Sequence, residues 1–173
     1  MKLSKFTLFF AAYNIVSSFF MSAVWETTTK TLGKNSVLWL FVILCLTAAA
    51  GLTYKNIKSR SSLKRMGLIW LVFIWGFVFA FRQPYLSEKA HVLEFAVLAW
   101  LTLRDLTKKE GLLLKAVFAT FVFVSLTGVL EEIYQKFLPW RVCDIRDMIS
   151  DSLGGIVGIA LFVLSKIKKS ALS

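Results

Sequence analysis

The sequence predicts an all-α fold, a polytopic membrane helical bundle of about six transmembrane helices with both termini in the cytoplasm. The 173 residues are 57% hydrophobic and have a mean hydropathy of +0.69, more apolar than a soluble domain of this length needs. Six strongly apolar runs are separated by short polar or basic turns. Because the sequence shows no internal repeat and no separate polar region, we treat residues 1–173 as one membrane domain.

The six predicted spans cover about residues 6–25, 36–54, 67–81, 90–103, 112–130 and 145–164. The first is longer than the apolar core of a signal peptide, so we expect a retained helix. A polar turn is expected over residues 26–35, and Pro84 should separate the third and fourth spans. The fourth span as delimited rises only ~21 Å against a hydrocarbon core of ~30 Å. It is therefore predicted to begin earlier, near Tyr85.

The basic residues indicate orientation. The net charge of +11 does not favour nucleic-acid binding, because the Lys and Arg residues lie in turns between apolar runs, as the positive-inside rule explains. With the N-terminus inside, the inner segments hold thirteen Lys and Arg residues and the outer segments seven. This imbalance places both termini in the cytoplasm and the connection between the fifth and sixth spans outside.

The most unusual stretch is this outer connection with its flanking helix ends, residues 131–158. A charge near the centre of a bilayer costs ~3 kcal/mol, so carboxylates at the end of one span and inside the next require a reason. Asp147 and Asp151 lie four residues apart, on one helix face that continues through Gly154 and Gly158. Small residues at this spacing allow a neighbouring helix to approach closely. The acidic face is therefore predicted to point into the bundle.

Two further spans carry polar side chains toward the same side of the membrane. On the fourth span, His91 and Glu94 lie three residues apart on one face. On the fifth, one of the adjacent residues Glu131 and Glu132 is expected to be solvated or to anchor the following loop. Of the two, Glu132 is better placed to face into the bundle. Its helix face comprises Ser125, Gly128, Glu132 and Gln135.

Structural alternatives exist for several of these residues. His91, the only histidine, could equally be a hydrogen-bonding group at the membrane interface. Asp144 suits the N-cap of the sixth helix, and Arg141 either neutralises an aspartate or binds a phosphate or carboxylate of a ligand. A hard metal ion such as magnesium is a further alternative, since a His-x-x-Glu helix with acids from two others resembles bundle metal sites. The reversed order of the pair and the single histidine argue against it, so no metal ligand and no cofactor is assigned.

These residues resemble the VanZ-like membrane protein family over about residues 67–164. The first signature reads Lys89-Ala90-His91-Val92-Leu93-Glu94-Phe95. The second, more specific signature reads Glu131-Glu132-x-x-Gln135-x-Phe137-x-Pro139-x-Arg141, followed by Asp147, Asp151, Gly154 and Gly158. The acidic pair of the family is usually Asp-Glu, and Glu94 and Phe95 replace the tyrosine that often follows the histidine.

The resemblance implies a small multi-pass protein of the bacterial plasma membrane, with a polar site on the extracytoplasmic side and a link to the cell envelope. The family takes its name from a protein associated with resistance to the glycopeptide teicoplanin. Antibiotic resistance is therefore implied, whereas a defined chemical reaction is not.

Together these observations predict a polar pocket that binds or processes an anionic lipid or a lipid-linked cell-wall intermediate. The candidate catalytic residues, which would transfer protons, are His91, Glu94, Glu131, Glu132, Asp147 and Asp151. The candidate ligand-binding residues are Lys89, Gln135, Arg141 and Asp144. The alternatives are a non-catalytic module that binds a glycopeptide or shields a precursor, and a small proton-coupled transporter. Few matching polar residues in the inner halves of the spans argue against the transporter.

Overall fold

The computed structural model describes residues 2–58, 62–83, 85–107, 113–139 and 144–166. Within these ranges the secondary structure is entirely helical, as predicted. The helices are α1 (Lys5–Leu32), α2 (Lys34–Lys58), α3 (Leu63–Arg82), α4 (Leu86–Leu106), α5 (Leu113–Gln135) and α6 (Ile145–Lys166). Helices α4 and α6 pack most extensively against each other, α1, α3 and α5 surround them, and α2 packs outside α1 and α3.

The prediction of a polar turn over residues 26–35 is wrong, because α1 continues to Leu32 and α2 begins at Lys34. The Thr29 hydroxyl donates to the Trp25 carbonyl at 2.8 Å, so this polar side chain finds its hydrogen-bond partner within the helix. An exposed ion pair between Glu26 and Lys30, 2.7 Å apart, adds a favourable i,i+4 contact. The two helices are separated only by Gly33, whose φ of 80° favours glycine.

Four helices, α2, α3, α5 and α6, are long and apolar enough to cross a membrane. Helix α1 adds a fifth if its two parts, Lys5–Ser17 and Phe19–Leu32, which meet at an angle of 52°, form one broken span. Helix α4 does not qualify because its 21 residues carry six ionisable side chains: Glu88, Lys89, His91, Glu94, Arg104 and Asp105. The number of six spans therefore stays a prediction.

Helix α4 is nevertheless the most enclosed element of the bundle. Its apolar side chains Val92, Phe95, Leu98, Ala99 and Leu103 are at most 1% exposed. All of them except Val92 belong to the core, together with residues of α1, α5 and α6. Among the described side chains of α4 only Val97 and Arg104 are exposed, and a helix that is mostly covered by protein can carry polar residues that a lipid-facing helix cannot.

The glycines predicted to allow close helix approach do so. A Cβ at Gly154 would lie 2.5 Å from the carbonyl oxygen of Val92 in α4, and one at Gly158 would overlap the carbonyl oxygen of Ala96. Gly128 of α5 faces α6 in the same way, since a Cβ there would lie 2.9 Å from an Asp151 carboxylate oxygen. These contacts bring together the ends of α4, α5 and α6 that carry the acidic residues.

At the opposite end of the bundle, which we call the inner end, α1 is fastened to α4. The buried Asp105 carboxylate accepts hydrogen bonds from the Ser4 backbone N–H at 2.9 Å and from the Thr7 hydroxyl at 2.6 Å. Ser4 also caps α1, since its hydroxyl accepts from the Thr7 N–H at 3.2 Å. These bonds fix the position of α1 along α4, a contact that the sequence analysis did not identify.

Candidate functional site

Side chains of α4, α5 and α6 line a small pocket, with a cavity volume of about 10 Å³, at the end of the bundle opposite Asp105. The lining residues are Glu88, His91, Glu131, Glu132, Asp147, Ser150 and Asp151. Five of the six candidate catalytic residues are among them, brought together from three helices as the sequence analysis expected. Their catalytic role stays a prediction.

His91 lies between two carboxylates. Its Nδ1 is 3.6 Å from an oxygen of Glu94, one turn further along α4, and its Nε2 is 3.6 Å from Glu131 of α5. Glu94 itself does not line the pocket and instead contacts the histidine from behind. A histidine held between two acids in this way can relay a proton between them.

Both members of the acidic pair are buried, since Glu131 and Glu132 are each only 1% exposed. We expected one of them to be solvated or to anchor the following loop. Neither is solvated, but one of them does anchor the loop. Glu132 is the anchor, because its carboxylate accepts the Asp144 backbone N–H at 2.9 Å. Glu131 accepts from the Gln135 side chain at 3.2 Å, and its second oxygen has no hydrogen-bond partner in the part of the chain that the structure describes.

The four candidate ligand-binding residues have different surroundings. Gln135 is buried and donates to Glu131. Asp144 caps α6, since its side chain accepts the Arg146 N–H at 2.9 Å, in agreement with the structural alternative. Arg141 lies outside the residues that the structure describes.

Lys89 is engaged with the end of α3. Its ammonium donates to the Phe81 carbonyl at 2.8 Å and to the Gln83 carbonyl. An ammonium has three N–H donors, so these bonds leave one for another partner, and ligand binding by Lys89 stays a prediction. Helices α3 and α4 meet at this corner, where α3 ends at Arg82 and α4 begins at Leu86.

The sequence analysis did not identify Glu88, Ser150 and Gln83. Glu88 lies three residues before His91, and Ser150 three residues after Asp147, so helical spacing alone could have placed both on the faces already recognised. Gln83 donates to the Ser150 hydroxyl at 3.3 Å, which joins the end of α3 to the wall of the pocket. No spacing rule predicts that contact, because it depends on the packing of two helices distant in sequence.

The pocket brings several acidic side chains close together. Five carboxyl groups line it and Glu94 lies behind His91, so each negative charge would repel the others in a poorly solvated space. Such a site favours proton exchange and binds groups that donate hydrogen bonds. Across residues 2–58, 62–83, 85–107, 113–139 and 144–166, no three or more His, Cys, Asp or Glu side chains are arranged to hold a metal ion.

A family model described as VanZ/LLP1 matches residues 3–166. The chain belongs to the VanZ/LLP1 family. The match includes α1 and α2, which lie outside the region of about residues 67–164 over which the motifs were recognised. Neither a curated protein nor a solved structure matches the chain.

In this VanZ/LLP1 protein the second motif has two structural roles. Its acids Glu131, Glu132, Asp147 and Asp151 line the pocket, whereas Gly154 and Gly158 provide the close contact with α4. The motif therefore contains both the site and the packing that assembles it.

The bundle between the pocket and Asp105 contains more buried polar residues than the sequence analysis recognised. Asn14 and Ser17 of α1, Thr102 of α4 and Thr120 of α5 are each at most 1% exposed. They escaped notice because they carry no charge and occur singly within apolar runs. Transport stays one of the alternatives.

Proposed function

We propose that this VanZ/LLP1 protein is an integral plasma-membrane protein of the bacterial cell envelope, whose pocket binds or processes the headgroup of an anionic lipid or a lipid-linked cell-wall intermediate. The observation that carries the proposal is the polar pocket at the end of an otherwise apolar bundle, lined by His91 and five carboxyl groups. Ionisable groups inside a membrane protein are costly and usually functional.

The proposal includes a topology of six spans, with the buried α4 as the span that hydropathy alone does not detect. Both termini lie in the cytoplasm, because that orientation gives the larger number of inner Lys and Arg residues. In this orientation the pocket opens on the extracytoplasmic side, and the basic residues at the inner end face the cytoplasm.

The surroundings of the pocket favour a lipid as ligand. Phe137 and Ile145 are strongly exposed apolar residues, each within a few positions of pocket-lining acids. Lys136 and Arg146 are exposed in the same region, and Arg141 lies in the connection between them. We infer that these cations hold a lipid phosphate at the rim of the pocket, while the acyl chain remains in the bilayer.

The size of the pocket limits what enters it. The pocket has a cavity volume of only about 10 Å³, enough for about one water-sized group and far below the roughly 300–1,000 Å³ of pockets that enclose whole drug-sized ligands. Only a terminal group of the headgroup, such as a hydroxyl or an amine, would therefore contact the acids. His91 and Glu131 would exchange a proton with that group, as general acid–base catalysis requires.

The test is native mass spectrometry of the protein purified in mild detergent, to identify the lipids that stay bound. Wild type is compared with Glu132→Gln and Asp147→Asn, which neutralise pocket acids with little change of shape. Glu26→Gln is the matched control, because Glu26 is exposed and pairs only with Lys30 on α1. The expected result is a bound phosphorylated lipid whose amount or identity changes in the two pocket variants and not in the control.

The pattern across variants distinguishes an enzyme from a binding module. A phosphorylated lipid that accumulates only on Glu132→Gln and Asp147→Asn indicates a reaction that normally consumes it. Equal amounts of intact lipid on wild type and both variants indicate binding without turnover. The proposal is abandoned if no phosphorylated lipid binds any of the four proteins.

Teicoplanin resistance forms part of the same proposal, since the family resemblance implies it. Expression of the wild-type protein in a susceptible bacterium should raise the teicoplanin concentration that stops growth, and Asp147→Asn should remove this effect. Equal growth inhibition with and without the protein would limit the proposal to lipid binding.

A further inference from the structure

Buried polar side chains extend from the pocket to the inner end of the bundle along α1, α4 and α5. Seven of them are at most 5% exposed: Thr7, Asn14 and Ser17 on α1, Thr102 and Asp105 on α4, and Thr120 and Thr127 on α5. Ionisable groups inside a membrane bundle are usually functional, and neutral Ser, Thr and Asn side chains there normally hydrogen-bond to a neighbouring helix. None of these seven lines the pocket, so the proposed function does not account for them.

Two contacts fix the depth of these residues. The Thr7–Asp105 hydrogen bond of 2.6 Å places α1 and α4 side by side at the inner end. The contact of 3.6 Å between His91 and Glu131 places α4 and α5 side by side at the pocket. A helix rises ~1.5 Å per residue, so Asp105 lies ~21 Å from His91 along α4.

From these fixed points the polar residues fall into closely spaced levels. Thr102 and Thr120 lie ~16 Å below His91 and Glu131 respectively, and therefore at the same depth. Asn14 lies ~10 Å above Thr7, and Thr127 lies ~6 Å below Glu131. No axial step between successive levels exceeds ~6 Å.

Several polar atoms on these levels have no hydrogen-bond partner in the described ranges. They are Oδ1 of Asn14, the hydroxyls of Thr102 and Thr120, and one carboxylate oxygen of Glu131 at the pocket. Buried polar groups are nearly always hydrogen-bonded, and internal water is the usual partner where protein supplies none. Because these steps are axial and the residues lie on different helices, more than one water per step, joined by hydrogen bonds of ~2.8 Å, is needed to connect the levels.

We propose that the buried polar residues of α1, α4 and α5 hold a file of internal water molecules that conducts protons between the pocket and Asp105. A proton enters at Glu131 or His91, each hydroxyl or water accepts one proton and passes another on, and a proton leaves at Asp105. No other reactant is consumed. This adds a transport activity to the ligand site of the proposed function.

Titratable groups stand at both ends of the file. At the pocket they are Glu94, His91 and Glu131. At the inner end Asp105 lies 3.3 Å from Arg104, whose side chain is exposed. Solvent is therefore one side chain away from Asp105, and the pocket opens to the opposite side.

The test is proton flux into liposomes that contain the purified full-length protein, measured with a trapped pH-sensitive dye under an imposed pH gradient and a clamped membrane potential. The variant pair Thr102→Val and Thr120→Val removes two hydroxyls at one level while keeping side-chain shape. Thr47→Val is the control, because that hydroxyl is exposed on α2 and bonds only within its helix. We expect wild-type flux above that of empty liposomes, a decrease of about tenfold in the double variant through the loss of hydrogen bonds along the path, and no change in the control.

A second measurement separates a water file from dry packing. If the Thr120 hydroxyl binds water, Thr120→Val removes a hydrogen bond and lowers the melting temperature, whereas a hydroxyl without any partner would be destabilising and its removal would raise it. Wild-type flux equal to that of empty liposomes, or a higher melting temperature for Thr120→Val, overturns the proposal. Lipid binding at the pocket, ~16 Å away, should be unchanged in every threonine variant, so the two proposals can fail independently.

Discussion

Gly158 of α6 lies so close to the main-chain carbonyl oxygen of Ala96 in α4 that no side chain fits between the two helices. One turn earlier, Gly154 faces the Val92 carbonyl in the same way. A backbone carbonyl cannot rotate away as a flexible side chain can, so this contact requires glycine on α6. His91 directly precedes Val92, and Asp151 lies three residues before Gly154, so the same contact places these two pocket residues opposite each other.

Gly158→Ala should therefore destabilise the protein strongly. The added methyl group would force α4 and α6 apart, and overpacking of this kind costs typically ~1–3 kcal/mol or more. The measurement is the melting temperature in detergent. Gly51→Ala is the matched control, because no atom lies within 4 Å of a Cβ at that helical position, and alanine there should be neutral or stabilising by up to ~1 kcal/mol. Similar melting temperatures for wild type and Gly158→Ala would contradict the close contact.

Gly128→Ala should impair the pocket more than the fold. A Cβ at Gly128 would lie 2.9 Å from an Asp151 carboxylate oxygen and 3.0 Å from its Cβ, so Asp151 must move within the pocket. We expect less co-purifying lipid by native mass spectrometry, with a smaller decrease in melting temperature than for Gly158→Ala. Gly67→Ala serves as the control, since a Cβ there meets nothing within 4 Å. Unchanged lipid content in Gly128→Ala would show that the position of Asp151 does not matter for binding.

The residues of the pocket could be predicted from sequence because charge inside apolar runs is conspicuous. Helical spacing then placed Asp147, Asp151 and the glycines on one face, and the structure confirms the face and its contact with α4. The buried neutral residues Asn14, Thr102 and Thr120 were missed for the opposite reason, since each is a single uncharged residue within an apolar run. The clamp between Thr7 and Asp105 joins residues 98 positions apart, and only tertiary structure reveals such a pair.

The continuation of α1 through residues 26–32 was missed because polar composition was taken as evidence for a turn. Helix formation depends on local geometry and not on polarity alone. Thr31 bonds back to the Thr27 carbonyl at 2.9 Å, and Glu26 pairs with Lys30. Only Gly33, with its positive φ, ends the helix.

Lys89→Met should separate the structural role of Lys89 from its predicted role in ligand binding. The substitution keeps an unbranched apolar chain but removes the ammonium that binds the Phe81 and Gln83 carbonyls. Hydrogen bonds from a charged donor are worth ~1.5–3 kcal/mol, so we expect a clear decrease in melting temperature. The control is Lys58→Met, at an exposed position at the end of α2 that does not line the pocket. A normal melting temperature combined with loss of bound lipid would instead assign Lys89 to the ligand.

Glu131→Gln should stabilise the protein while impairing its function. Glu131 is 1% exposed, and the negative charges of Glu132, Asp151 and Glu94 act on it. It is therefore a buried acid among other acids. Glutamine has the same shape, and its carbonyl can still accept the bond from Gln135. Removal of one acid relieves repulsion in a poorly solvated space, and functional sites commonly reduce stability in this way.

We expect the melting temperature of Glu131→Gln to exceed that of wild type, with a gain of ~1 kcal/mol or more in unfolding free energy. Glu26→Gln is the control for the loss of a single carboxylate. Its pair with Lys30 is fully exposed and solvent screens it, so that variant should be at most slightly less stable than wild type. A decrease in the melting temperature of Glu131→Gln would mean that the buried carboxylate is stabilised by its surroundings. The repulsion inferred among the pocket acids would then be wrong, and with it the view that the site is maintained for function at the expense of stability.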